Sequence, residues 1–186
     1  MIKLILNSKY LYLVTTLLLL LLSRANATDL KVGDMAPNFK LQATTGDYYQ
    51  LSDYKGKQAV VMAWYPMANT RGCTLECRSL VQQGHLIRAF NASYVMASVD
   101  PIDDNRDFAK KTNADFPMLS DPTKETAKAY DVLNVFGVAS RVTFYIGKDG
   151  RILKIDDDIT PNTAAEDIAQ HLKSLSIEPS ISGQTQ

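Results

Sequence analysis

A chain of 186 residues with 20 Lys and Arg against 20 Asp and Glu has no surplus of positive charge with which to hold a polyanion. That excludes an electrostatic nucleic-acid binder, and no basic run marks a membrane surface. A zinc centre takes about four ligands, and the two cysteines and two histidines lack its spacing: His85 and His171 sit in separate predicted helices, with no Cys-x-x-Cys or His-x-x-x-His pairing.

The first residues read as a leader. Lys3 and Lys9 give a basic beginning, and Tyr10 to Leu22 is an apolar run of 13 residues broken only by Thr15 and Thr16. Ala25-Asn26-Ala27 then places small residues at the two positions a signal peptidase reads. This layout predicts a secretory signal peptide over residues 1–27. An uncleaved membrane anchor would need about 20 apolar residues. No cysteine follows the leader, which disfavours a lipoprotein. The leader contains Lys3, Lys9 and Arg24, so 17 of the 20 basic side chains remain against 20 acidic ones, a net charge of −3 over 159 residues. That is one domain with an ample core, expected over residues 28–175, followed by a polar tail over 176–186 that reads as frayed.

Tyr48 to Leu51 reads as a short strand and Leu51 to Tyr54 as a polar turn. Ala59 to Trp64 is the most apolar run after the leader, as a buried central strand would be. From Leu75 to Phe90 the spacing predicts a helix with Leu80, Gly84 and Ile87 on one face and Leu86 and Phe90 beside it. Tyr94 to Val99 is a second apolar strand. Asp103 is expected to cap a helix through about Thr112, and Asp121-Pro122 to cap another over Thr123 to Tyr130. Val142 to Ile146 and Ile152 to Ile155 form a hairpin across Lys148-Asp149-Gly150. Thr160-Pro161 starts a last helix with Ala165, Ile168, Ala169 and Leu172 on one face. Such an order predicts an α/β fold, a central mixed sheet flanked by helices.

The chemistry gathers between the central strand and the first helix, in Tyr65-Pro66-Met67-Ala68-Asn69-Thr70-Arg71-Gly72-Cys73-Thr74-Leu75-Glu76-Cys77. Cys73 falls in the first helical turn, where unpaired N–H groups and the helix dipole favour an anion, and only the thiolate of a cysteine is strongly nucleophilic. Thr70 lies three residues earlier, close enough for its hydroxyl to reach the sulfur across the turn. Pro66 removes a donor and stiffens the strand exit.

Pro66-x-x-x-Thr70-x-x-Cys73 is similar to the peroxiredoxin signature, and Tyr65-Pro66-x-x-Asn69-Thr70-x-Gly72-Cys73-Thr74 resembles its bacterioferritin-comigratory, PrxQ-like branch. Val32-Gly33-Asp34-x-Ala36-Pro37-x-Phe39-x-Leu41, Phe116-Pro117-Met118-Leu119-Ser120-Asp121-Pro122 and Arg141-Val142-Thr143-Phe144-x-Ile146 extend the resemblance from about Val32 to Leu175. The resemblance implies a thioredoxin-like fold and a peroxidase that uses Cys73, Thr70, Pro66 and Arg141, without a metal or other cofactor. It implies a peroxide substrate and a thioredoxin-like or other dithiol reductant, in a monomer or homodimer. Once exported, the chain would work in an oxidising compartment, with no stable membrane association after cleavage.

Several bland readings stand beside these. Arg141 could be a solvated charge at a strand end, Thr70 a turn residue and Pro66 a strand terminator; Trp64 and Tyr65 read as wall and core. Arg71 departs from the branch, which usually carries proline there; either it favours the thiolate or it points to solvent. Cys77 comes four residues after Cys73, whereas branch members with a resolving cysteine in this helix usually place it five away. Four residues of intact helix separate Cα atoms by about 6 Å, near the upper end for a disulfide, so resolution by Cys77 calls for local unwinding. The other reading makes Cys77 a small buried residue. A structural Cys73–Cys77 staple would close almost no loop and stabilise little. Two further functions remain as alternatives. A thiol–disulfide oxidoreductase of thioredoxin-like shape wants a Cys-x-x-Cys that is absent; a non-catalytic redox sensor or binding module has no need of Pro66, Thr70, Cys73 and Arg141 together.

Overall fold

The computed structural model describes residues 30–180; the signal peptide expected over 1–27 lies outside them. Seven strands, β1 (Lys40–Ala43), β2 (Tyr48–Gln50), β3 (Ala59–Trp64), β4 (Ala92–Ser98), β5 (Met118–Ser120), β6 (Val142–Ile146) and β7 (Ile152–Asp156), form one sheet in the order β2-β1-β5-β4-β3-β6-β7. The sheet is mixed. β3, β4 and β5 run parallel, while β1–β2, β1–β5, β3–β6 and β6–β7 pair antiparallel. Four helices complete the chain: α1 (Arg71–Arg88), α2 (Ile102–Thr112), α3 (Glu125–Ala129) and α4 (Ala164–Ser174).

All six residues of β3 are buried, and the twofold side-chain alternation of a strand divides them between two cores. Val60, Met62 and Trp64 join Phe39, Ala127, Tyr130 and Phe144 on one face. Val61 and Ala63, followed by Tyr65, join Cys73, Cys77 and Leu80 of α1, Phe108 of α2 and Ile168 and Leu172 of α4 on the other. The helical face expected from Leu80, Gly84 and Ile87 is buried as read. Gly84 is needed for space, since a Cβ there would lie 2.6 Å from the Tyr94 hydroxyl.

Several boundaries differ from expectation. Asp103 does not cap α2, because Pro101 occupies the cap position; Asp103 lies in the first turn and pairs with Arg106 at 3.0 Å. The helix expected from Thr123 shrinks to α3, because Lys124 takes the left-handed conformation with φ 63 and interrupts it. Asp121 still serves that helix. Its carboxylate accepts from the Ala127 N–H at 2.8 Å and the Thr123 hydroxyl at 3.0 Å. Strands β1 and β5 were not expected as strands. The polar turn over Leu51–Tyr54 is one turn of 3₁₀ helix, and another at Pro161–Thr163 precedes α4.

Of the tail expected over 176–186, residues 176–180 are bonded to the body of the domain, and 181–186 lie outside the described residues. Asn91 N–H donates to the Glu178 carbonyl at 2.7 Å, Ser180 N–H donates to the Ala89 carbonyl at 2.8 Å, and Lys148 pairs with Glu178 at 2.9 Å. His171 is half-buried beside the Tyr145 hydroxyl at 2.9 Å and Asp156 at 3.2 Å, whereas His85 is exposed.

Candidate active site

The peptide leaves β3 through buried Tyr65, turns at Pro66 and reaches α1 after Asn69, which adopts φ 62. Asparagine tolerates this left-handed conformation better than most residues. Thr70 stands at the N-cap with extended backbone and no side-chain bond to the helix start. Its hydroxyl does not bond the sulfur as expected; it donates to the Met67 carbonyl at 3.0 Å, which holds the turn instead. The Thr70 carbonyl accepts from both the N–H and the hydroxyl of Thr74, at 2.9 and 2.7 Å. The first turn of α1 therefore presents its N–H groups, which have no partner within the helix, at the side of Cys73.

Cys73 is the third residue of α1 and only 1% exposed. The cation comes from across the sheet. Val142 pairs with Trp64 in the antiparallel β3–β6 register, so Arg141, one residue earlier, stands at the exit of β3. Its Nη2 donates to Cys73 Sγ at 3.3 Å, and its Nη1 pairs with the carboxylate of Glu76. Glu76 is also only 1% exposed. Three residues apart on one helix, Cys73 and Glu76 share a face, and the planar guanidinium bridges them. A Cβ at Gly72 would lie 3.2 Å from Arg141 Nη2, so glycine there lets the fork come down over the helix start.

Arg71 is exposed and extends to solvent; Pro66 is half-buried, while Trp64 and Tyr65 belong to the core. Glu76 was passed over in the sequence because an acidic residue in a polar helix reads as surface. Its position three residues after Cys73, on the helix's apolar side, was the available signal. Among the described residues no group of three or more His, Cys, Asp or Glu side chains could hold a metal ion.

Residues 32–155 match the family model described as AhpC/TSA family. The chain belongs to the AhpC/TSA family. Within it the relatives are peroxiredoxins of the Bcp/PrxQ branch. Peroxiredoxin Bcp of Bacillus subtilis is 30% identical over 154 residues, covering 79% of this chain and 98% of the relative. Peroxiredoxin Bcp of Escherichia coli K12 is 28% identical over 151 residues, covering 77% and 96%. Among solved structures, peroxidoxin BcpB from Mycobacterium tuberculosis superposes with a TM-score of 0.71 at 29% identity, covering 78% of this chain and 97% of that one. A cysteine-to-serine mutant of Xylella fastidiosa PrxQ gives 0.70 at 26% identity, covering 79% and 98%. The fold is thus thioredoxin-like, and the protein is a peroxiredoxin, a thiol-dependent peroxidase.

In this peroxiredoxin both cysteines are free thiols. Cys77, a turn beyond Cys73, is wholly buried and faces α2: its S–H donates to Thr112 Oγ1 at 3.1 Å, while the Thr112 hydroxyl donates to the Phe108 carbonyl at 2.7 Å. Burial, more than any neighbouring charge, pushes the Cys77 thiol up to about 11. At pH 8 Cys77 of the reduced native protein should react with iodoacetamide about 100-fold more slowly than an unstructured thiol, because so little of it is thiolate. Its labelling rate should climb between pH 9 and 11, and mild urea should remove the protection. Mass spectrometry of the labelled peptides measures both; rapid labelling of Cys77 at pH 8 would contradict the buried placement.

Proposed function

We propose that Cys73 is the peroxidatic nucleophile, that Arg141 and Thr70 shape its pocket with Pro66 fixing the approach, and that Cys77 resolves the oxidised form. The observation that carries this reading is the Arg141 guanidinium, which donates to Cys73 Sγ at 3.3 Å while Glu76 anchors its other arm. A fixed cation and the helix-start N–H groups supply preorganised stabilisation for charge that moves from sulfur to oxygen. The Cys73 thiolate attacks one oxygen of hydrogen peroxide or an organic hydroperoxide, and the O–O bond breaks. Sulfur keeps that oxygen as sulfenic acid; the other leaves as hydroxide or alkoxide and takes a proton, giving water or alcohol. Cys77 then attacks the sulfenic sulfur, an S–S bond forms and water departs. A thioredoxin-like or other dithiol reduces that disulfide and is itself oxidised.

Because Cys77 is buried against Thr112, the second step requires the start of α1 to come away from α2. Oxidation with one equivalent of peroxide should therefore link Cys73 to Cys77 within one chain. Amide exchange over residues 74–82 should speed up on oxidation and recover on reduction. Cys77→Ser should oxidise once, leaving a trappable Cys73 sulfenic acid, and depend on an external thiol for turnover. Peptide mapping decides: a sulfenate alone, or a Cys73–Cys73 link between chains, makes Cys77 a core residue and the enzyme a one-cysteine peroxidase.

The same reading places the protein outside the cytoplasm, supported by Lys3, Lys9, the run Tyr10 to Leu22 and Ala25-Asn26-Ala27. Intact mass of protein recovered from the periplasm or medium should begin at Thr28. Full-length protein integral to the membrane would overturn that placement.

A further inference from the structure

Between Tyr65 and the first turn of α1 the chain has neither strand nor helix to hold it, and of its side chains only Ala68 is buried in the core. Only a few bonds fix this arm. Thr70 closes the turn on Met67 locally. The middle of the arm is tied to the body by the Ala68 N–H, which donates to the Asp100 carboxylate at 2.9 Å. Farther out, Asn69 Nδ2 reaches Asp107 of α2 at 3.3 Å on the surface.

Asp100 is itself held through its backbone from two sides. Its N–H donates to Ser98 Oγ at 3.2 Å and its carbonyl accepts from the Ser120 hydroxyl at 2.6 Å. Ser98 Oγ passes its own hydrogen to Asn105 Oδ1 at 3.2 Å. Asn105, fully buried on α2, also accepts from the Tyr65 hydroxyl at 2.7 Å and donates to the Leu119 carbonyl at 3.2 Å. The ends of β3, β4 and β5 and the first turns of α2 thus meet in one polar network. It grips the arm at Tyr65 and again at Ala68. Satisfied buried networks of this kind rigidify what they join, and a residue with its backbone pinned on both sides presents its carboxylate at a fixed point.

We propose that Asp100 is a positioning residue for peroxide reduction, holding Cys73 in line beneath Arg141 through the Ala68 N–H. Displacement of the arm shifts the start of α1 relative to β6, and so moves Cys73 Sγ against a guanidinium that is fixed from the other side by Glu76. Attack on an O–O bond needs sulfur, both oxygens and the stabilising donors in register, and a misplacement of about 1 Å can cost up to 10²-fold. Alkylation by iodoacetamide calls on no donors aligned with a departing oxygen, so a small shift of Cys73 Sγ beneath Arg141 changes it less.

This inference rests on Cys73 as the nucleophile, and the experiment separates the two. Purified protein beginning at Thr28 is mixed with peroxide in stopped flow, and the loss of alkylatable Cys73 is followed by mass spectrometry. Asp100→Ala should lower the second-order rate constant for peroxide about tenfold while Cys73 alkylation stays within about twofold. Asp100→Asn keeps an oxygen that accepts from the Ala68 N–H, and should return the peroxide rate to within about threefold of wild type. An unchanged rate in Asp100→Ala overturns the proposal. So does an Asn variant as slow as Ala, or a parallel fall in alkylation, since these point to charge or general loosening. If Asp100→Ala does not fold, Ser120→Ala frees the Asp100 carbonyl and carries the same test, with a fall of about threefold expected and an unchanged rate overturning the proposal. Wild-type protein whose Cys73 stays fully alkylatable after peroxide would refute the nucleophile itself, and the positioning role with it.

Discussion

Cys73→Ser is expected to bring peroxide reduction down to background, a fall of at least about 10³-fold. A serine hydroxyl at this place is barely ionised, and oxygen attacks an O–O bond poorly even when Arg141 still donates to it. The fold should notice the change little. The two side chains differ by one atom, the new hydroxyl keeps a donor within reach, and a near-isosteric change of this kind costs on the order of 1 kcal/mol. Thermal melting alongside the kinetics therefore separates lost chemistry from lost structure. Cys77→Ser provides the contrast, because it keeps the first oxidation and loses only the intramolecular second step. If Cys73→Ser keeps its rate while Cys77→Ser loses it, the roles of the two cysteines are exchanged. A Cys73→Ser protein with wild-type turnover in the absence of both effects would leave the chemistry without its nucleophile.

The parts of this protein that were legible in the sequence are those with a period long enough to read. β3 announces itself by six consecutive apolar residues, α1 by Leu80, Gly84 and Ile87, and the β6–β7 hairpin by its Asp-Gly turn. The strands β1 and β5 escaped because, at four and three residues, they lack the paired tyrosines that mark the equally short β2, and Pro117 and Pro122 on either side of β5 read as loop. Cys73 was legible because a strand exit and a helix start are both local signals. Arg141 was not legible from spacing. It lies 68 residues from Cys73, and only the antiparallel register of β3 with β6 brings the two together, so the family resemblance had to point to it. Glu76 and Asp100 were missed for one physical reason. An acid is expected at the surface, and what buries Glu76 or draws in the half-buried Asp100 is a partner from a distant part of the chain. The Thr70 hydroxyl went the other way: proximity in sequence suggested the sulfur, but the nearer carbonyl of Met67 satisfies it.

Arg141 and Glu76 together give the second large effect, in which activity and stability part company. Arg141→Ala removes a preorganised donor and the positive charge beside Cys73, and should slow the peroxide step about 10²- to 10³-fold. It also strands Glu76, only 1% exposed, without its partner. Breaking a buried pair from one side costs about 3–5 kcal/mol, much of it the uncompensated charge left behind. Arg141→Lys keeps a charge but has no planar fork to span Cys73 and Glu76 at once, so its rate should still fall about tenfold or more, with a milder loss of stability. The double variant Arg141→Ala with Glu76→Gln removes the stranded charge. Its melting temperature should recover most of what Arg141→Ala lost, while its peroxide rate stays as low. Glu76→Gln alone leaves the arginine 19% exposed and able to find water, so it should be the least damaging of the set. Stopped-flow oxidation of Cys73 and thermal melts of the four proteins measure the two axes independently. A double variant that regains the rate with the stability would make the guanidinium a structural ion, needed only to neutralise Glu76; an unchanged rate in Arg141→Lys and Arg141→Ala would return it to a charge at a strand end.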